Sequence, residues 1–347
     1  MRVIANPSMQ LWDEVVSRAL DSTFFHTPTW TQILTRTYPQ FRNVTKGFVL
    51  ADGAVAIVPM IATVERNHYF QWCESIYPGG YGGAVAERKL TLCEVKDIYL
   101  HLMCARVAYL HVMGNPFGEH ELPPSFARSD EYTHVLELGP GFETIYSNYR
   151  DGHKYSVKRA KKLGVEVSIA ETEADYWNYY EAYVDSLRRW GDRTLVTYPY
   201  TLFQEIYNRR SGHTKLWLAK VRGEVASGCL VFYHNRHVLY WHAATRENYL
   251  NHGAGPLLIT EILRNACQSG FGYYDFSPSG QLKGVEQYKE GFGAKRLGFG
   301  SYVWQANRLY QAYQSLRGGL GRTPSQKPVT VQRASESMAA RLERVEG

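Results

Sequence analysis

The chain has 347 residues, long enough for two domains of about 150 residues each. A hydrophobic share of 44% and a charged share of 21% fit a soluble globular protein rather than a disordered one. A net charge of +6 permits an anionic partner such as a nucleotide, CoA or tRNA but is too small for a polycation, and no DNA partner is expected.

The five cysteines, Cys73, Cys93, Cys104, Cys229 and Cys267, include no C-x-x-C pair and are odd in number. Neither a zinc site nor a disulfide framework is expected, and a reducing compartment fits best. The N-terminus lacks the apolar core of a signal peptide. The most apolar stretch, 48–64, is interrupted by Asp52-Gly53, so no membrane span is expected. The expected location is the cytoplasm.

In chain order, hydrophobic periodicity and turn residues predict helices near 8–19 and 28–37, then strands near 43–51, 54–64 and 68–74. A helix near 91–103 and a strand near 106–113 follow. A β-rich run ends at Leu138-Gly-Pro-Gly141, the expected boundary between two units. Beyond it, Arg150 to Lys162 reads as a basic helix ended by Gly164, with positions 150, 154, 158 and 161 on one face. Next come a strand near 165–170, helices near 173–190 and 199–210, strands near 214–221, 224–233 and 237–244, a helix near 254–269 and a strand near 272–276. A short helix then carries Lys289 back beside that strand end. His234-Asn-Arg-His237 falls at a hairpin tip, read as exposed turn residues rather than a metal site.

The two halves share this order. Residues 49–56 align with 219–226, Gly53 on Gly223 and Val55-Ala56 on Val225-Ala226, each at a hairpin turn. The expected organisation is a first unit over 1–140, a second over 141–299 carrying the transfer site, a segment 300–316 packing back on the first, and a flexible tail over 317–347.

Gly270-Phe-Gly-Tyr-Tyr-Asp275-Phe-Ser277, followed by Tyr288-Lys289-Glu-Gly-Phe-Gly-Ala-Lys295, resembles the C-terminal part of the FemAB-type peptidyltransferases and their relatives in the GNAT superfamily of acyltransferases. Lys158, Arg159, Ala160, Lys162 and Gly164 resemble a second segment of that family, and Phe25-x-x-Pro28-x-Trp30 resembles its opening. The resemblance implies two tandem GNAT-like α/β units, each a central mixed sheet flanked by helices, without a coiled-coil arm.

It also implies a site. Strands 237–244 and 272–276 would splay apart around the acyl group, with the backbone N–H of Ala243 facing the developing oxyanion and His242 available as a base. Lys289 would stabilise the tetrahedral intermediate. Asp275 would orient the attacking amine or take its proton, and Tyr288 would protonate the leaving group. Gly253-Ala254-Gly255, at a helix N-terminus, suits a phosphate of the donor, although Leu250 stands where CoA-using relatives carry Gln or Arg. Arg150, Lys154, Lys158, Arg159 and Lys162 would meet tRNA or nucleotide phosphates. Trp30, Arg36 and Tyr81 would form the acceptor side.

The implied activity is transfer of an aminoacyl or acyl group to a primary amine. The leading donor is aminoacyl-tRNA and the acceptor a peptide or nucleotide-linked peptide precursor. The alternative is an acyl-CoA donor with an amino sugar or lipid acceptor. No metal or other cofactor is expected.

Overall fold

A computed structural model describes residues 1–64, 71–75, 80–104, 106–118, 120–191, 196–280 and 282–306. The tail expected over 317–347 and Tyr77 to Gly79 of the glycine-rich loop lie outside the described residues.

In the first half, strand β1 (Arg2–Ile4) precedes helices α1 (Met9–Arg18) and α2 (Pro28–Thr37). Ser8 and Thr27 cap these helices by accepting from Leu11 N–H and Trp30 N–H, and Pro28 opens α2, where its missing N–H is not needed. Strands β2 (Phe41–Asn43), β3 (Lys46–Val49), β4 (Val55–Val58), β5 (Ile61–Val64), β6 (Gln71–Glu74) and β7 (Val85–Ala86) follow. Helix α3 (Leu92–Leu102) crosses to β8 (Val107–Met113), and β9 (Ala127–Glu137) closes the half.

The second half opens with α4 (Phe142–Ser147), the basic α5 (Asp151–Lys162), β10 (Glu166–Ile169), α6 (Glu173–Trp190) and α7 (Tyr200–Asn208). A meander of β11 (Thr214–Val221), β12 (Glu224–His234) and β13 (His237–Thr245) leads into α8 (Ala254–Gln268), β14 (Tyr273–Asp275), α9 (Lys283–Glu290) and β15 (Lys295–Gln305). Gly53 and Gly223 both adopt positive φ, 86° and 84°, at their matched hairpin turns.

Among the described residues, eleven strands form one sheet in the order β10-β11-β12-β13-β14-β9-β15-β8-β6-β5-β2. The sheet crosses from one half to the other through β9, which is antiparallel to β14 at residues 135–137 and to β15 at residues 127–135. β15 also pairs with β8, so the described part of the C-terminal segment lies against the first half. A small second sheet, β1-β3-β4-β7, holds the rest of that half.

Helices cover both faces of the second half. Tyr179 and Tyr183 of α6 and Phe203 of α7 share an aromatic core with Phe24, Trp30 and Phe232. On the opposite face Leu257, Ile259 and Leu263 of α8 pack with Val157 of α5 and Phe276. Nine residues join α6 to α7, too few for a long helical arm.

Three expectations change. The run 54–64 is two strands in two different sheets, because Pro59 has no N–H to continue a ladder. The run 43–51 is likewise divided, where Asn43 Oδ1 accepts from Thr45 N–H and turns the chain. At the hairpin tip His234 and His237 are buried and Asn235 is half-buried, while Arg236 stays exposed. His234 Nε2 lies 3.0 Å from Ser22 Oγ, Asn235 Nδ2 donates to Ala19 O at 2.7 Å, and His237 Nε2 lies 3.1 Å from Leu20 O. The tip therefore satisfies the carbonyls that follow α1 and latches the two halves together.

Burial without countercharge pushes His26 and His237 down to about 4, and His234 to about 3. The unfolded chain takes up these protons as the pH falls below about 6.5, whereas the folded chain does not. Stability is therefore expected to hold above pH 6.5 and to fall progressively from pH 6.5 to 4. Urea midpoints across this range would show it, with a shallower slope for His234→Asn; parallel slopes would contradict the assignment.

Candidate active site

The parallel strands β13 and β14 pair at only three positions, His237↔Tyr273, Val238↔Tyr274 and Leu239↔Asp275. β13 then runs on to Thr245, while Ser277, with φ of 59°, turns the other chain away. Ser277 Oγ donates to Tyr240 O at 2.8 Å at the fork. Arg246 N–H donates to Ala226 O on the β12 side. Strand alternation then turns the N–H of Ala243 toward the open side of the fork.

The first half closes the corresponding gap. β6 and β8 pair through Glu74↔His111, and Ser75 N–H continues the ladder to His111 O at 2.8 Å. Ser75 Oγ accepts from Met113 N–H, and Gly82 N–H donates to Met113 O. A Cβ on Gly82 would stand 2.3 Å from Ser75 Oγ, so glycine alone lets the loop seal this position.

The helix that follows each parting differs in the same sense. Helix α3 fills its own N-terminus with a capping box: Glu94 accepts from Thr91 N–H, and Thr91 Oγ1 accepts from Glu94 N–H. Bonds from Arg88 and from Thr91 N–H hold Glu94 down to about 2, so an ionised carboxylate already occupies this helix end. Helix α8 starts at Gly253, with φ of 71°, no side-chain cap and no acid in its first turn. Its positive end is left for another group.

Gly253 also answers to packing. A Cβ there would lie 2.3 Å from Ser156 O of α5. Ala254 is buried, and Gly255 faces the hydroxyl of Tyr288, which a Cβ would approach to 3.2 Å. Tyr288, on α9, thus directs its hydroxyl to the first turn of α8, while His153 of α5 sits 2.9 Å from its carbonyl. Burial raises the Tyr288 hydroxyl, which keeps its proton.

Beneath the fork lie Asp275 and Lys289, 0% and 4% exposed. Asp275 Oδ1 accepts from Thr133 Oγ1 at 2.5 Å and from Ser277 N–H at 2.8 Å. Thr133 reaches it because Val135 stands opposite Asp275 in the ladder, and residues two apart share a face. Burial pushes the Asp275 carboxyl up, and the contacts of Thr133, Tyr81 and Ser277 N–H, with the charge of Lys289, pull it part of the way back. Lys289 Nζ donates to Ser277 O at 2.5 Å. Burial lowers Lys289 to about 8, against the attraction of Asp275 and Glu286.

The structure brings Asp275, Lys289, Tyr288, Ala243, Gly253, Ala254 and Gly255 together around the fork. His242 stands apart. It is packed by Tyr183, Tyr198 and Phe203, with Nδ1 2.5 Å from Tyr179 Oη. Burial holds it down to about 3, too weakly basic to collect a proton near neutrality. A shift of register in the ladder between Tyr240 and His242 turns this side chain onto the α6 face.

Trp30 is core, at 1% exposure, packed edge-on against Phe25, Phe232 and Trp241. Arg36 is exposed on the last turn of α2. Tyr81 is fully buried and faces Asp275 rather than solvent.

The basic stripe divides. Arg150 reaches Glu290 at 3.5 Å, Lys154 donates to Ser147 O, and Lys161 lies 3.7 Å from Glu261. Lys158, Arg159 and Lys162 are exposed, with no ion pair among the described residues. Arg150, Lys154 and Lys161 thus each meet a partner within the chain, while Arg150 and Lys161 stay exposed beside Lys158. Thr133 and Ser277 were missed: the first lies on a strand too polar to stand out, and the second reads as an ordinary loop serine.

Residues 147–290 match the acetyltransferase (GNAT) domain family. No curated protein matches the chain. Among solved structures, FemX superposes with a TM-score of 0.67 at 12% identity, over 92% of this chain and 100% of that one. The C-terminal domain of a putative lysylphosphatidylglycerol synthetase from Agrobacterium fabrum gives 0.54 at 11%, over 90% and 97%. L-PGS from Bacillus licheniformis gives 0.50 at 10%, over 80% and 88%. The protein is an acyltransferase of the GNAT fold. Its tandem α/β fold is shared with FemX over 92% of the chain.

Substituting Gly253→Ala combines a positive φ with a clash on backbone oxygen, and should lower stability by about 1–3 kcal/mol. Urea denaturation would measure this; an unchanged midpoint would show that α5 and α8 separate at no cost.

Proposed function

We propose that the protein transfers an aminoacyl group from aminoacyl-tRNA to a primary amine on a peptide or nucleotide-linked peptide precursor, forming an amide. The observation that carries this reading is the fork itself: an unpaired strand edge above a buried lysine and aspartate, beside an uncapped helix N-terminus. FemX is the relative whose likeness extends over the most of this chain among those compared above.

In this reading the amine attacks the ester carbonyl of the donor. The C–N bond forms, the C–O bond to ribose breaks, and the amine's lost proton is balanced by one delivered to the ribose oxygen. Asp275 accepts the first, and Tyr288, still protonated, supplies the second. The N–H of Ala243 and the ammonium of Lys289 hold the oxyanion, fixed donors in a site shielded from water. Lys158, Arg159 and Lys162 bind tRNA phosphates on the face of α5 turned away from α8. The protein acts in the cytoplasm, where its donor is made.

A second reading has one observation in its favour. The open N-terminus of α8 suits the pyrophosphate of an acyl-CoA donor as well, with an amino sugar or lipid amine as acceptor.

Two measurements test these readings. Retention of aminoacyl-tRNA should fall at least about tenfold for Lys158→Glu/Lys162→Glu, and more steeply at low salt. Calorimetric binding of acetyl-CoA with no retention of tRNA would replace the first reading by the second. In either assay Lys289→Ala should cost about 10²–10³ in rate with folding intact. The native rate should decline as pH rises through about 8, where the Lys289 ammonium loses its proton. An undiminished rate for Lys289→Ala would remove Lys289 from the reaction.

A further inference from the structure

Tyr81 belongs to the first half, yet its hydroxyl lies beside Asp275 of the second half as well as Thr133 of β9. Its position is tightly fixed. Gly82 N–H donates to Met113 O, and Ala84 N–H donates to Tyr99 Oη at 3.1 Å, stapling the loop just after it. The ring is edge-on to Phe25 at 6.2 Å and to Phe299 of β15 at 5.4 Å. Burial raises the Tyr81 hydroxyl well above its ordinary value, so it stays protonated and can only donate to a carboxylate.

The other half of the observation concerns what is left unpaired. Asp275 Oδ1 has two donors, but Oδ2 is buried with no well-formed hydrogen bond, and Tyr81 Oη is buried in the same condition. Two such groups side by side are each costly alone and complementary together. Among the described residues of the second half, Lys289 acts on Asp275 through its charge, while its Nζ donates to Ser277 O.

We propose that Tyr81 is a positioning residue for the transfer site: its hydroxyl is the donor for Asp275 Oδ2, and through it the first half governs the charge and orientation of the Asp275–Lys289 pair. The importance of that pair for transfer rests on the function proposed above; the contact itself does not. The groups that face Asp275 are Thr133 and the main chain of Ser277, Tyr81 from the loop, and Lys289 from α9, with Glu286 one turn away. His134, next to Thr133, points to the opposite face toward Glu290. With Tyr81 donating, Asp275 is held as a carboxylate, and Lys289 in turn keeps its ammonium. Without that donor, burial favours the neutral acid, and the lysine loses its counter-ion.

The test is a carboxyl-carbon NMR titration of the full chain labelled with [13Cγ]Asp, the Asp275 signal being the one absent from Asp275→Asn. Tyr81→Phe should move the Asp275 midpoint to higher pH, as should Thr133→Val, while Thr133→Ser leaves it in place. Site-specific 3-fluorotyrosine at position 81 keeps the shape, strengthens the donor and should move the midpoint down; it serves if Tyr81→Phe does not fold. A midpoint indifferent to both changes at position 81 would overturn the proposal. Transfer undiminished in Asp275→Asn, with the midpoint still responsive to Tyr81, would instead overturn the assigned reaction and leave the contact standing.

Discussion

The two-sided pairing of β9 is the constraint from which the rest follows. Its last residues hold β14, and most of its remaining length holds β15, so neither half can shift in register without breaking the other. The hairpin tip of His234 and His237 fixes the same alignment from the far end of β13. A site that needs an oxygen from β9, a hydroxyl from the first-half loop and an ammonium from α9 at one carboxylate can exist only where that register is rigid. Burying a carboxylate without donors is strongly unfavourable, and Asp275 is fully buried. The sheet pairing is what supplies the compensating groups.

The two halves show how one chain pattern is directed to two ends. Each runs through a hairpin, a further strand, a crossover helix and a parallel strand. In the first, Ser75 and Gly82 continue the ladder, and Glu94 neutralises the helix end. In the second, Ser277 ends the ladder after three pairs, and Gly253 leaves the helix end bare. The difference is a handful of backbone hydrogen bonds, yet it decides which half retains unsatisfied donors. The first half contributes rigidity and Tyr81; the second contributes the opening. The recognised domain, 147–290, contains the opening but not Tyr81 or Thr133.

Much of this fold was legible in the sequence, because the elements of the second half carry strong local signals: Gly164 after α5, Gly223 turning the meander, Gly253 before α8. The FemAB-like block located Asp275 and Lys289 close together. What escaped detection was long-range. β9 reads Ala-Arg-Ser-Asp-Glu-Tyr over its first half, with no alternation, since those residues lie on the exposed part of the sheet. β15 is interrupted by Gly298 and Gly300. His234 to His237 look like an exposed turn, and composition gives no sign that another helix end is waiting for them. His242 is the converse: a histidine on the expected strand, removed from the chemistry by a one-residue irregularity in the ladder. A single shift of register exchanges the faces of a strand, and no local pattern reveals it.

The central claim is that transfer takes place at the fork in the second half and nowhere in the first. Photo-crosslinking with a donor carrying a diazirine on its acyl group, followed by peptide mapping, tests this most directly. The account predicts labelled peptides from 240–256 and 283–291. Label concentrated in 71–75 or 88–95, at the sealed counterpart in the first half, would contradict it.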